Sequence, residues 1–369
     1  MSSGYLYDCR VEAKGKARVG IRDVARAAGV SPTTVSHSLS GKGRLPESTR
    51  ERIARVAEEL GYRPNASARN LVAGKTGLLG IAISESPESP FGLSDFDYFM
   101  QLLTAATTTA VEKGMALVVA GMGQGEEFFG GVDVDGLIVV DPVVGDQLVA
   151  ANLRRGVPVV TTGRVPGETR PDDETYWVDN DHRRGTMSIL DHLHERGGRK
   201  VALITTLPIT SYTADDIEGY ETWCEAHSQE PMLTVVEGPI DEGAGFAAAA
   251  ELLDGPDPPD AIYATLDRLA LGTLAAARSR GIGVPTDLIV AGCTDSKAGE
   301  WADPPLTALA LNPEEIGRQV VEMLIALVQG DDPVERHQLV PTAILPREST
   351  ARVVSGQTPR MEDPHDEDS

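Results

Sequence analysis

From Val19 to Leu60 the apolar positions recur three and four residues apart, whereas from Leu78 onward they gather in short unbroken runs. The first pattern predicts amphipathic helices and the second predicts buried strands. In VGIRDVARAAGVSPTTVSHSLSG, Ile21, Val24, Ala25 and Ala28 share one face of a first helix, Gly29 permits a tight turn, and Val35 and Leu39 give a second helix its apolar face. Ser31 stands where an N-cap belongs and Pro32 at the first helical position, where a missing N–H costs nothing, so the second helix starts there. Its outward side carries Pro32, Thr33, Ser36 and His37, short hydrogen-bonding groups near the end that a recognition helix pushes into a major groove. The same pattern would also serve a helical hairpin in any all-α domain. A third helix over Pro46 to Leu60 places Ile53, Val56, Ala57 and Leu60 on one stripe, and Gly61 stops it. These three helices can close a small core.

Beyond a linker, GYRPNASARNLVAGKTG, in which Asn65 can cap a short segment from Ala66 to Val72, the pattern changes period. Apolar runs at 78–84, 116–121, 136–140, 157–163, 201–206, 261–265 and 288–293 alternate with amphipathic helices. Continuous runs separated by helices mean strands covered on both faces, hence doubly wound parallel sheets. Seven strands over this length suit two α/β subdomains with a ligand cleft between them, beyond the C-terminal strand ends. The predicted fold is therefore an all-α helix-turn-helix headpiece followed by a core of two doubly wound parallel-sheet subdomains. Residues 354–369 are polar and acidic and read as a disordered tail.

Charge decides between the two readings of the helical unit. The 369-residue chain has a formal net charge of −23, which taken whole argues against nucleic acid. Between Arg10 and Lys75, however, 14 Lys and Arg face 6 Asp and Glu, a net of +8 that leaves −31 for the rest. A basic head on an acidic body is the footprint of a DNA-binding unit attached to a sensing unit. No apolar run approaches the roughly 18 residues of a membrane span, and residues 1–18 read as a basic, disordered leader rather than a signal peptide, so a cytoplasmic location is expected. Cys9, Cys224 and Cys293 are too few and too scattered for a disulfide framework.

Catalytic and cofactor motifs are absent from the sequence: no phosphate-binding loop, GxSxG elbow, dinucleotide fingerprint or metal-spaced Cys/His set. Neither a cofactor nor an enzymatic activity is expected. His192 and His194 lie two apart on a helix and read as a surface pair.

IRDVARAAGVSPTTVSHSLSG, RLPESTRERI and ELGYRPNASARNL, followed by VDGLIVV, GVPVVTTGR, VDNDHRRGTMSILDHL, GIGVPTDLIVAGCTD and PPLTALALNPEEIG, resemble in order and spacing the lactose/galactose repressor family of bacterial transcription regulators. The resemblance implies a headpiece over 19–63, a hinge helix and linker over 64–76, and a core over 77–353 resembling periplasmic binding proteins. Within that core it implies a first lobe of about 77–178 plus 308–335 and a second of about 179–307 plus 336–353. It also implies a homodimer on a near-palindromic double-stranded operator. Pro32, Thr33, Ser36 and His37 would face or approach base edges; Gly20, Ser31, Ser40, Arg44, Thr49, Tyr62 and Asn65 would contact phosphates. In the hinge, Leu71 would wedge into the minor groove, with Ala68 and Arg69 beside it. A sugar-binding transport protein shares the core fold, but has no use for a basic headpiece.

Where sugar-binding members of the family carry polar groups, this chain departs. It has Asp216 in place of an arginine, Leu266 in place of an asparagine, Thr294 in place of an aspartate and Leu311 in place of a glutamine. With Arg164, and with Phe91, Ile240 and Trp301 expected in the same cleft, the site reads as poor in partners for sugar hydroxyls. The expected effector is a less hydroxylated, partly apolar small molecule rather than an ordinary neutral sugar, Asp216 favouring a cation. A regulator with no small-molecule effector is the alternative.

Overall fold

The computed structural model describes residues 19–39, 45–62, 75–84, 95–121, 123–167 and 174–352. The expectations placed on the leader, on Ser40, Arg44, Asn65, Ala68, Arg69, Leu71 and Phe91, and on the tail lie outside the described residues. The chain divides into two compact units between Gly74 and Lys75, within the expected linker.

In the first unit α1 spans Ile21–Ala28, α2 Pro32–Leu39 and α3 Glu47–Glu59. Gly29 adopts φ +66°, which a residue without a Cβ adopts at little cost, and this left-handed turn redirects the chain into α2. The Ser31 hydroxyl accepts the Thr34 N–H at 3.1 Å, so the expected cap is made. Val24, Ala25, Ala28, Val35, Ile53 and Ala57 are buried together, with Ile21, Leu39, Val56 and Tyr62 packed around them. Leu60 departs from expectation. The helix ends at Glu59, so Leu60 falls off the stripe and is 38% exposed, while Tyr62 folds back onto the core.

The second unit runs β1 (Leu78–Ile83), α4 (Asp95–Glu112), β2 (Ala116–Val119), α5 (Gly125–Gly131), β3 (Gly136–Val140), α6 (Gln147–Arg154), β4 (Val159–Thr162), β5 (Trp177–Asn180), α7 (His182–Glu195), β6 (Val201–Thr206), α8 (Ser211–His227) and β7 (Met232–Val236). It continues through α9 (Glu242–Leu253), β8 (Ala261–Ala264), α10 (Asp267–Ser279), β9 (Ile289–Cys293), α11 (Lys297–Glu300), β10 (Thr307–Ala310), α12 (Pro313–Gln329), β11 (His337–Val340) and β12 (Ala343–Leu345). All seven expected strands form. They build two six-stranded sheets, ordered β11-β5-β4-β3-β1-β2 and β12-β10-β9-β8-β6-β7, in which only the edge pair β10–β12 is antiparallel.

Each sheet is the centre of a lobe with helices on both faces. Leu79, Ile81 and Ile138 pack on one side of the first sheet against α4 and α12, and Leu137 and Val139 pack on the other. The second sheet divides in the same way, Ile204 and Val290 on one side and Leu203 and Tyr263 on the other. The chain passes between lobes three times, and each passage corrects an expected boundary. Thr307–Ala310 pairs with β9 and so belongs to the second lobe, whereas His337–Val340 pairs with β5 and belongs to the first. The first lobe also keeps Asp179 and Asn180, the end of β5. Pairing register, which the hydrophobic runs do not encode for strands this short and polar, sets these limits.

Candidate DNA-reading surface and ligand cleft

Because Val35 and Leu39 turn inward, α2 must present its opposite side, and Pro32, Thr33, Ser36 and His37 are all exposed there. Ser31 is exposed just ahead of them, its hydroxyl committed to the cap and to Thr34 Oγ1. Gly20 caps α1, donating its N–H to Asp23 Oδ2 at 3.0 Å. Thr49 begins α3 and Tyr62 closes the unit, both half-buried.

In the second unit the three passages bring polar side chains to the C-terminal ends of the strands. Asp179 and Asn180 end β5, and the first turn of α8 reaches them from the other lobe. Ser211 Oγ donates to Asp179 Oδ2 at 3.1 Å, and the Arg164 guanidinium pairs with Asp215. Asn180 accepts the Asn312 N–H at 3.0 Å and donates to the Tyr98 hydroxyl at 3.1 Å. The Val144 N–H meets the Ile209 carbonyl at 3.0 Å. Gly163 makes the approach of Ser211 possible. Its φ is +89°, and a Cβ there would stand 2.5 Å from Ser211 Oγ and 2.8 Å from Asp179 Oδ2.

Beneath these contacts lies a buried charge cluster. His182, the first residue of α7, holds Nε2 4.0 Å from Asp179 Oδ1 and Nδ1 3.5 Å from Asp216 Oδ1, with the Tyr212 ring 5.5 Å away. Burial pushes the imidazole pKa down, but the Asp216 carboxylate, helped by Asp179 and Asp215, outweighs it and lifts the value to about 9. Burial also raises Asp179 to about 6, against the opposing pull of the His182 charge. Asp267, at the start of α10, is raised to about 6 by burial despite its bonds to Ser296.

The expected cleft residues do not converge on one wall. Thr294 lines a groove of about 880 Å³ with Tyr98, Asn312 and Lys297, and Arg164 lines a separate cavity of about 370 Å³. Ile240 is buried in the second lobe's core, while Leu266 and Leu311 pack against its two core clusters. Trp301, just past α11, is 77% exposed. Asp216 is 1% exposed, bonded to Thr186 at 2.7 Å and paired with His182, so its charge is neutralised inside the lobe and does not favour a cation in the cleft. The histidine pair is corrected too. His192 is buried and bonded to Thr350 at 2.9 Å, and His194 lies beside Trp223 and His227. Sequence reasoning passed over Asp179, His182 and Asp215, although polar residues at a strand's C-terminal end were the available signal.

A helix-turn-helix unit with a polar, exposed second helix, joined to two parallel-sheet lobes that meet over polar strand ends, is the build of a ligand-responsive DNA-binding regulator. The comparisons agree. Residues 20–65 match the lacI family of bacterial regulatory proteins, and residues 190–350 match a periplasmic binding protein-like domain. The chain is 30% identical to the HTH-type transcriptional regulator CelR of Thermobifida fusca, over 90% of this chain and 99% of that protein. It is 26% identical to the HTH-type transcriptional repressor CytR of Escherichia coli K12, over 91% and 98%. Among solved structures, a lac repressor dimer bound to operator and the anti-inducer ONPF superposes with a TM-score of 0.72 at 25% identity, covering 90% of this chain and 99% of that one. A CelR–cellobiose complex gives 0.67 at 28%, covering 90% and 100%. The chain belongs to the lacI family and is a DNA-binding transcriptional regulator. These relatives are regulators rather than enzymes or transport proteins. Among the described residues no helix is long and apolar enough to cross a membrane.

Proposed function

We propose that this regulator is a repressor that binds a near-palindromic operator as a homodimer in the cytoplasm, with α2 of each copy in a major groove. The observation that carries the reading is the exposure of Pro32, Thr33, Ser36 and His37 on one side of a capped helix in the basic part of an acidic chain. The lac repressor relative was solved as a dimer on its operator, which supports the same assembly here. Gly20, Ser31, Ser40, Arg44, Thr49, Tyr62 and Asn65 hold the phosphates in this reading, and Ala68, Arg69 and Leu71 enter the minor groove. Selection of half-sites from randomised DNA tests it. Thr33→Ala and His37→Ala should each change the preferred bases, whereas Arg44→Ala should weaken all sequences alike and lower the salt dependence by about one phosphate. The same motif from wild type and both helix variants would remove these side chains from the reader set.

The effector is a small molecule between the lobes that shifts their balance by binding one arrangement more tightly. CelR was solved with cellobiose, so a neutral sugar is the second reading. Asp216 argues against it: buried and committed to His182 and Thr186, it offers no partner to a sugar hydroxyl. Calorimetry with common mono- and disaccharides decides between the two. Saturable binding with release of operator DNA establishes the sugar reading.

A further inference from the structure

We propose that His194 and His227, at the ends of α7 and α8, form a binding site for a divalent transition-metal ion such as Zn²⁺ or Ni²⁺. The two helices lie on one face of the second sheet, where Leu190 and Leu193 of α7 are buried with Tyr220, Trp223 and Cys224 of α8. Each helix leads to the start of the next strand of that sheet, β6 or β7, so both end at the edge opposite the contacts between the lobes. His194 is half-buried there and His227 is exposed, so an ion reaches the pair from solvent.

The two ring centres are 5.0 Å apart, with the planes at 57°. Nitrogen–metal bonds of about 2.0–2.1 Å, at tetrahedral or octahedral angles, hold two imidazole centres at about that separation. His227 is prepared by its own helix. Its Nδ1 lies 2.9 Å from the Trp223 carbonyl, to which it can only donate, so the proton sits on Nδ1 and the Nε2 lone pair is left for a metal. The Trp223 ring stacks on His227 at 4.1 Å and fixes its plane. His194 touches Arg199, whose Nη1 is 3.2 Å from Nδ1 and 3.4 Å from Nε2. The lone pairs of these nitrogens diverge in the ring plane, so an atom nearly equidistant from both lies over the ring and fills neither. Nη1 donates instead to the His194 and Gly198 carbonyls, at 2.9 and 3.1 Å. Burial, with the charges of Arg199 and His227, lowers the His194 pKa, so this ring is neutral at pH 7 and protons compete little with a metal. Arg199 opposes a cation, and the Asp191 carboxylate, which accepts from the Trp223 indole at 2.7 Å, acts on His194 against it.

Among the described residues no third His, Cys, Asp or Glu joins the pair. Water then fills the other positions, and the affinity lies between about 1 μM and 1 mM, below that of a structural zinc site. A bound ion ties the ends of α7 and α8 together and stabilises the second lobe by mass action.

Titration of the untagged full chain with nickel chloride near neutral pH tests the proposal, because Trp223 reports an ion held by the ring stacked on it. Tryptophan emission should fall saturably, and zinc chloride should restore it and raise the urea midpoint of the core. His194→Asn and His227→Asn should each weaken Ni²⁺ by at least about tenfold and remove the stabilisation by Zn²⁺, while still unfolding cooperatively without metal. In the wild-type chain, Ni²⁺ should broaden the imidazole NMR signals of His194 and His227 before those of the other histidines. No saturable quenching by about 1 mM Ni²⁺, an equal response to Mg²⁺, unchanged Ni²⁺ binding by either folded variant, or broadening that begins at another histidine would each overturn the assignment.

Discussion

His182 should make the core more stable below neutral pH than above it. The groups that face it are Asp179 from β5, Asp215 and Asp216 from α8, and, through Asp215, Arg164 from the end of β4. Its side chain is 6% exposed, so solvent screens the cluster little. A histidine raised from 6.5 to about 9 binds its proton more tightly in the folded than in the unfolded chain. The resulting stability is complete below pH 6.5 and is lost as pH rises through about 9. At about 1.36 kcal/mol per pH unit that interval corresponds to about 3 kcal/mol, a ceiling because Asp179 answers to the same charge. Asp179, raised by burial to about 6, adds a loss of the same sign between about pH 4 and 6. The three tryptophans, Trp177, Trp223 and Trp301, all lie in the second unit, so urea unfolding followed by their emission reports the core alone. Wild type should lose about 2–3 kcal/mol between pH 6.5 and 9.5 relative to His182→Asn. Parallel profiles for the two chains, or an NMR titration of His182 with its midpoint below 7, would refute the argument.

Three further outcomes are expected. Leu71→Ala should weaken operator binding by about 1–3 kcal/mol while leaving binding to random DNA nearly unchanged; equal losses at fixed salt would exclude the wedge. Removing Arg164 and Asp215 singly and together should give a coupling energy of about 0.5–1 kcal/mol in core stability, because the arginine is half-exposed. A cycle that closes to zero would mean the pair holds nothing. Gly272→Ala should destabilise the core by at least about 1–3 kcal/mol, since its Cβ would lie 2.2 Å from the Glu242 carbonyl and 2.5 Å from the Phe246 nitrogen where α9 and α10 cross; an unchanged urea midpoint would contradict this.

The headpiece was legible in the sequence because each step there is local. A cap at Ser31, a left-handed glycine at Gly29 and a stripe at helical spacing are all decided within a few residues, and the folded unit keeps each of them apart from Leu60. Six of the seven strands were legible because a strand buried on both faces must be an unbroken apolar run, and the seventh, the partly exposed edge strand ALVV, keeps the same apolar run. WVDN and HQLV were not, being short and partly polar, and AIL is an apolar run of only three residues; all three lie at or next to sheet edges, where one face or one side stays open. The same reason displaced the lobe boundaries. In the cleft, position along the chain indicated which residues approach the strand ends but not which way they turn. Asp216 and Ile240 turn into the second lobe, and the neighbouring Asp215 instead makes the contact across it.

That exchange alters what the acidity of the body means for a ligand. A surplus of −31 outside the basic head suggests a cleft hungry for cations, yet the carboxylates at its centre are each compensated. Asp215 holds Arg164, Asp216 faces His182, and Asp179 takes a proton donor from Ser211 while burial lifts its pKa toward neutrality. The acidic excess therefore acts from the surface, where salt screens it, and discourages indiscriminate contact with DNA phosphates. Where the lobes meet, polar groups are committed to one another across the gap. A ligand that alters the distance between the lobes must then disturb Ser211–Asp179 or Arg164–Asp215, the same contacts that define the present arrangement. The bonds that join the lobes also line the gap between them, so a substitution at these positions would change how firmly the two lobes are held together.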